Sequence, residues 1–245
     1  MIAPVYDAAV AESPFVAPPG QDESLDRMAD AANYNAWLFR RARPFLGRRV
    51  LDFGAGVGTF TELIAEDAEV VALEPDPAFL PRLHERFDGR DNVEVVHGTD
   101  ERIASLGRFD SVVCLNVLEH IREDDVVLGR LADALVEGGH VLLLVPAHQA
   151  LFGGIDRSVG HERRYGGDLL RLRLEQAGLV PVELRHVNPV GALGWLVSSR
   201  LLGREQVPTG PLRLYDALVP LLRSLDRLRL PFGLSLWAVA RKTSA

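Results

Sequence analysis

Between residues 49 and 145 the apolar residues come in two textures, short unbroken runs and longer stretches in which they recur every three or four positions. An unbroken run of about four to eight residues fits a strand buried on both faces, and the 3.6-residue recurrence fits an amphipathic helix. Strands are thereby predicted at Arg49–Phe53, 69–73, 93–96, Phe109–Leu115 and 140–145. Helices are predicted at 59–66, 77–87 and 124–135, with Pro77 suited to a first turn and Glu137-Gly138-Gly139 forming the turn before the fifth strand. Further on, a helix over 168–177 closes at Gly178, a sixth strand follows at Leu179–Val187, and a seventh at 233–240. Apolar strands separated by helices imply an α/β fold, a doubly wound and mostly parallel sheet with right-handed crossovers.

The flanks differ. Residues 1–21 combine Pro4, Pro14, Pro18, Pro19 and Gly20 with no helical or alternating period, which predicts an extended arm. The remainder, 22–245, reads as one domain. In 22–44 the positions Leu25, Met28, Ala32, Trp37, Leu38 and Ala42 recur at helical spacing and predict a helical cover at one edge of a ligand site. Between the sixth and seventh strands, 189–232 is too long for a bare loop and carries two helical patterns. Their apolar faces bear Leu193, Trp195, Leu196, Leu218, Leu221 and Leu222, with Arg223, Arg227 and Arg229 nearby. Such faces need a cover, and three are open: the sheet edge, making the insertion an acceptor cap; a second copy of the chain; or a membrane surface.

Composition narrows the function. The formal net charge of -7 and scattered arginines disfavour sequence-independent nucleic-acid binding. One cysteine, Cys114, allows no internal disulfide, no apolar run reaches the roughly 18 residues of a spanning helix, and a cytoplasmic protein is expected.

Ligands of doubly wound sheets bind beyond the carboxyl ends of the strands, where the strand order switches. At the first of these ends lies Asp52-Phe53-Gly54-Ala55-Gly56-Val57-Gly58-Thr59, a glycine turn that lets backbone approach a ligand closely. A dinucleotide fingerprint would place Gly or Ala where Thr59 stands, which disfavours a nicotinamide enzyme. Glu74 ends the second strand, where a carboxylate can accept from both hydroxyls of a ribose, and Asp100 ends the third, where it can take an adenine amino group or cap a helix. The fourth strand runs into Asn116-Val117-Leu118-Glu119-His120.

Together these motifs resemble the class I S-adenosylmethionine-dependent methyltransferases, in particular their small-molecule branch, over residues from about 45 to 180. The resemblance implies a Rossmann-like sheet whose last strand is antiparallel, with S-adenosylmethionine as cofactor. It assigns the methionine part to Asp52, Gly54, Ala55, Gly56 and Gly58, the ribose to Glu74 with Pro75 beside it, and the adenine to Thr99, Asp100 and Glu101. The cofactor's amino group falls to the backbone of Asn116, next to Val117, and Tyr34 stands over the cofactor.

After the fifth strand, residues 146–165 are too rich in glycine and charge for a core element and resemble an acceptor loop of some bacterial methyltransferases. Methyl transfer needs orientation and, for many acceptors, a base. His161 is the first candidate base, with Tyr165 and Asp156 to orient it; its alternative is a hydrogen bond to loop backbone. His120 and Glu119 follow, with first-turn capping as their alternative, while His148 and His97 read as structural. No spacing of histidine, cysteine or carboxylate suggests a metal, so none is expected. The sequence thus implies methyl transfer to a small molecule, oxygen favoured, with a hydrophobic or natural-product acceptor; the alternative is a cofactor-binding protein without transfer activity.

Overall fold

The computed structural model describes residues 21–243 except 202, 204–208, 223–227 and 229; the N-terminal arm and Arg223, Arg227 and Arg229 therefore lie outside the described residues. Seven strands form one sheet: β1 (Arg49–Phe53), β2 (Glu69–Glu74), β3 (Val93–His97), β4 (Phe109–Leu115), β5 (Leu135–Pro146), β6 (Leu179–Val187) and β7 (Ser235–Lys242). Their order is β3-β2-β1-β4-β5-β7-β6, and β7 pairs antiparallel with both β5 and β6 while the other pairs are parallel. The direction of winding therefore reverses between β1 and β4, and both strands deliver their carboxyl ends to one crevice.

Nine α-helices among the described residues surround this sheet: α1 (Gln21–Ala29), α2 (Ala32–Ala42), α3 (Thr59–Ile64), α4 (Leu80–Phe87), α5 (Asp124–Ala134), α6 (Gly154–Ser158), α7 (Gly167–Gln176), α8 (Pro189–Trp195) and α9 (Thr209–Leu222). Alternate strand residues serve opposite faces. Leu51, Phe53, Leu73, Cys114 and Leu143 pack with Leu128 and Leu131 of α5 and Leu170 and Leu174 of α7. Val50, Val70, Val113, Leu142 and Trp237 pack with Trp37 and Leu38 of α2, Ile64 of α3 and Val219 of α9. Each such side chain contributes roughly 1.5–3 kcal/mol when fully buried, which explains why near-continuous apolar strands specify a sheet covered twice.

Several boundaries depart from the pattern. The fourth helix starts at Leu80 with Pro81 in its first turn, and not at Pro77. Asp76 accepts from Ala78 N at 2.9 Å, and its carbonyl accepts from Phe79 N at 3.2 Å, so a local turn holds Pro77 outside the helix. The Glu137-Gly138-Gly139 turn lies within β5, as an excursion between the pairs Phe109↔Leu135 and Ser111↔His140, with Gly138 at φ +77°. In the insertion, α8 is short and passes into a π-helical turn at Leu196–Leu201, and α9 ends at Leu222.

The insertion reaches the N-terminal cover. Asp216 of α9 accepts from Tyr34 N at 2.9 Å and from Asn33 Nδ2 at 3.2 Å. It thus caps α2, whose own N-cap, Ala31, has no side-chain oxygen to offer.

Candidate active site

A cavity of about 510 Å³ opens over the carboxyl ends of β1, β2 and β4, a volume suited to a small ligand. Its floor is the glycine turn. Gly54 sits at φ +77°, a conformation that disfavours a side chain, and a Cβ there would come within 2.5 Å of Val117 Cγ2. Gly54 N and Ala55 N donate to Leu73 O at 2.8 and 3.2 Å, which ties the turn to β2. Asp52, Gly54, Ala55 and Gly56 all line the cavity. Gly58 does not: at φ +80° it precedes α3, and a Cβ there would lie 2.7 Å from Phe87 and 2.9 Å from Leu83. It serves the packing of α3 on α4, so its expected ligand role is corrected.

Glu74 and Pro75 form the next stretch of wall. The Glu74 carboxylate accepts from Gly56 N at 2.7 Å and Asp76 N at 2.9 Å. Burial pushes its pKa up to about 7, although both backbone hydrogen bonds act against this. Burial likewise raises Asp52 to about 6, eased by the 2.6 Å hydrogen bond from Thr61 Oγ1. Thr99 and Asp100 line the cavity, and Asp100 pairs with Arg130, which leaves its second oxygen available. Glu101, the next residue of the 3₁₀ turn that Asp100 opens, is exposed and does not line the cavity, and its expected contact is corrected. Asn116 and Val117 line the β4 side; Asn116 has φ +55° and donates its N–H to Leu144 O at 2.8 Å. Tyr34 faces the cavity beside Leu25, Met28, Asn35 and Leu38, whereas Trp37 is buried in the core and stays off the wall.

The other end of the cavity is polar. His161 and His120 meet edge to face with ring centroids 4.7 Å apart. The 2.8 Å contact between His161 Nδ1 and Asp156 Oδ1 makes Nδ1 the protonated nitrogen if the carboxylate is ionised. Asp156 is itself fixed, accepting from Gly153 N at 2.8 Å and Arg164 Nε at 2.8 Å. Burial alone would raise its pKa, but the hydrogen bond to His161 and the Arg164 charge outweigh this and hold it below the usual carboxylate range. His161 Nε2 lies 3.8 Å from Glu119 Oε1. Glu119 is fully buried, and neither carboxylate oxygen has a hydrogen-bond partner. Burial pushes Glu119 up to about 7 and His120 down to about 3. Although the sequence spacing predicts no metal ligands, the donor atoms of Glu119, His120 and His161 lie within 4.8 Å of one another.

Tyr165 is absent from this wall. Its N–H donates to Pro146 O at 2.8 Å, and its hydroxyl runs through the core to donate to Asp124 Oδ2 at 2.9 Å. A fully buried phenol with a committed proton cannot meet an acceptor, so its expected catalytic role is corrected to a structural one. His148 stacks on His186 and His97 reaches Pro75 O, both outside the cavity wall, consistent with structural roles. Arg164, from the loop after β5, and Trp195 of α8, from the apolar face of the insertion, also line the cavity and stack at 4.5 Å, a contact that no spacing in the sequence predicts.

Comparison with known proteins agrees with this geometry. Residues 51–141 match a family model described as a methyltransferase domain. The chain is 30% identical over 196 residues to a ubiquinone biosynthesis O-methyltransferase of Dinoroseobacter shibae, covering 72% of this chain and 78% of that protein. A probable ribosomal RNA small subunit methyltransferase A of Methanosarcina mazei is 45% identical over 65 residues, 26% of this chain and 24% of that protein. Among solved structures, the N-methyltransferase NodS of Bradyrhizobium japonicum in complex with S-adenosylhomocysteine superposes with a TM-score of 0.58 at 14% identity, covering 88% of each chain. At that identity the likeness concerns the fold.

Proposed function

This chain belongs to the S-adenosylmethionine-dependent methyltransferases, and from that premise we propose that it methylates an oxygen of a small, largely apolar acceptor at the His161 end of the cavity. The observation that carries the reading is the convergence of His161, His120 and Glu119 on the cavity that the glycine turn floors. S-adenosylmethionine supplies a methyl group on a sulfonium, and the electron pair of the broken C–S bond stays on sulfur.

The residues fit that cofactor. Gly54 and Gly56 would leave room for the methionine part, the Glu74 carboxylate would accept from the ribose hydroxyls, and Asp100 would receive the adenine amino group. Leu25, Met28 and Phe79 provide apolar cover. What the protein adds is orientation and a place for the acceptor's proton. An acceptor hydroxyl set against His161 meets Nε2 on one side and the Glu119 carboxylate on the other, and its proton leaves to one of them as the new O–C bond forms. Asp156 holds the imidazole in position through Nδ1. The apolar stretch of wall and Trp195 favour an acceptor with a hydrophobic body, and Trp195 is the insertion's contribution to that wall.

The test is transfer from radiolabelled S-adenosylmethionine to a panel of phenolic and aliphatic alcohols. His161→Ala should lower turnover by about 10²–10⁴-fold, the usual contribution of a positioned proton acceptor, with S-adenosylhomocysteine affinity within about threefold of the parent. Transfer to nitrogen acceptors alone, or full turnover by the variant, would reject the assignment.

A further inference from the structure

Among the described residues that line this cavity, Glu119 is the carboxylate whose oxygens take no hydrogen bond from another residue. Both oxygens are fully buried and accept no hydrogen bond, although a buried carboxylate is ordinarily paired, hydrogen-bonded or bound to a metal. His161 stands opposite. Its Nδ1 is committed to Asp156, which leaves the lone pair on Nε2, and Nε2 lies 3.8 Å from a carboxylate oxygen, too far for a hydrogen bond. Two acceptors set across such a gap leave a place for a cation between them.

We propose that Glu119, His120 and His161 bind a divalent first-row transition ion, with zinc(II) the best match to two imidazoles and one carboxylate, and that the acceptor's oxygen occupies an open coordination position toward the cavity. Nitrogen and oxygen ligands sit about 2.0–2.2 Å from zinc, so two of them on one tetrahedral ion lie about 3.3–3.6 Å apart. The His161–Glu119 separation of 3.8 Å is close to this, and the 4.8 Å that bounds the whole set requires the ligands to close by up to about 1.3 Å on binding. A carboxylate behind a ligating histidine fixes its tautomer and orientation in metal sites generally. Asp156 occupies that place, locked by Gly153 N and Arg164 Nε. The backbone of Gly160 is the corresponding partner of His120. Three protein ligands at the wall of a cavity leave further positions for an exchangeable oxygen, the arrangement of a catalytic rather than a closed structural site.

This inference rests on the reading of the polar end as the acceptor site and assigns His161 to ligation, with the second oxygen of Glu119 left to receive the acceptor's proton. The full chain, stripped with a chelator and freed of it by gel filtration, is titrated calorimetrically with zinc chloride, with magnesium chloride as the hard-ion control. Cobalt(II) absorption reports the ligand field. One equivalent of zinc should bind with micromolar or tighter affinity, and cobalt should give visible bands characteristic of mixed nitrogen and oxygen ligation. Glu119→Gln and His161→Gln should each weaken binding by at least about 100-fold while S-adenosylhomocysteine still binds, which shows that the variants are folded. Stoichiometric binding that survives in both folded variants, or no binding by the parent, overturns the proposal. Failure of methyl transfer to any oxygen acceptor with zinc still bound would reject the proposed function and leave the metal site standing; transfer in excess chelator would do the reverse.

Discussion

Glu74 carries the sharpest consequence at the scale of single residues. Its carboxyl is raised from an ordinary 4.5 to about 7 because burial disfavours the charge. The folded protein therefore binds a proton more tightly than the unfolded chain does, and the stability that this proton contributes is full below about pH 4.5 and lost as the pH rises through about 7. Cofactor binding runs the other way, since the ribose hydroxyls need the ionised form as acceptor. Calorimetric affinity for S-adenosylhomocysteine should rise about tenfold between pH 6 and 8, in line with hydrogen bonds to a charged group, and Glu74→Gln should flatten the profile; a parent profile as flat as the variant's would contradict the assignment. Tyr165 supplies the complementary case. Tyr165→Phe removes a buried donor from Asp124 and should cost about 1–3 kcal/mol in denaturant unfolding. Affinity for the cofactor should stay unchanged, because the hydroxyl never reaches the cavity.

Among the elements, α2 is the one whose position depends on a distant part of the chain. Its N-terminus lacks a local cap, and Asp216 from α9 provides one across 182 residues of sequence. The same helix presents Tyr34, Asn35 and Leu38 to the cavity. Asp216→Ala should therefore destabilise the fold by about 1 kcal/mol, the usual worth of a cap, and also weaken S-adenosylhomocysteine binding severalfold. Unaltered binding alongside a lowered melting temperature would separate the cap from the cavity wall. The loop between β5 and α7 shows the same dependence on distant partners. Asp156 of the short α6 gathers His161 and Arg164 from outside any regular element through hydrogen bonds, and Arg164 is further held by Ala147 O.

Across the whole molecule, most of the exposed large apolar side chains among the described residues fall between Val190 and Phe232, on the insertion. Its inner side closes the cavity through Trp195 and braces α2 through Val219; no described helix is long and apolar enough to cross a membrane. The strands and the glycine turn were legible in the sequence because each follows from local rules, while the antiparallel last strand came from the family resemblance. Apolar runs make buried strands, glycines at positive φ make a turn that admits a ligand, and the strand-end positions of Glu74, Asp100 and Asn116 follow once the strands are placed. Glu101 and Tyr165 depart from the expectation because adjacency in sequence does not say which way a side chain points, and Gly58 because its turn is set by the packing of α3 on α4. The meeting of Glu119 and His120 with His161, some forty residues away, follows no periodicity, since it depends on β4 and the loop after β5 ending at the same crevice. Local pattern determined which elements form and where the glycine turn lies; only the tertiary structure decided which charges are stranded together at the polar end of the cavity, because burial and long-range packing set their partners.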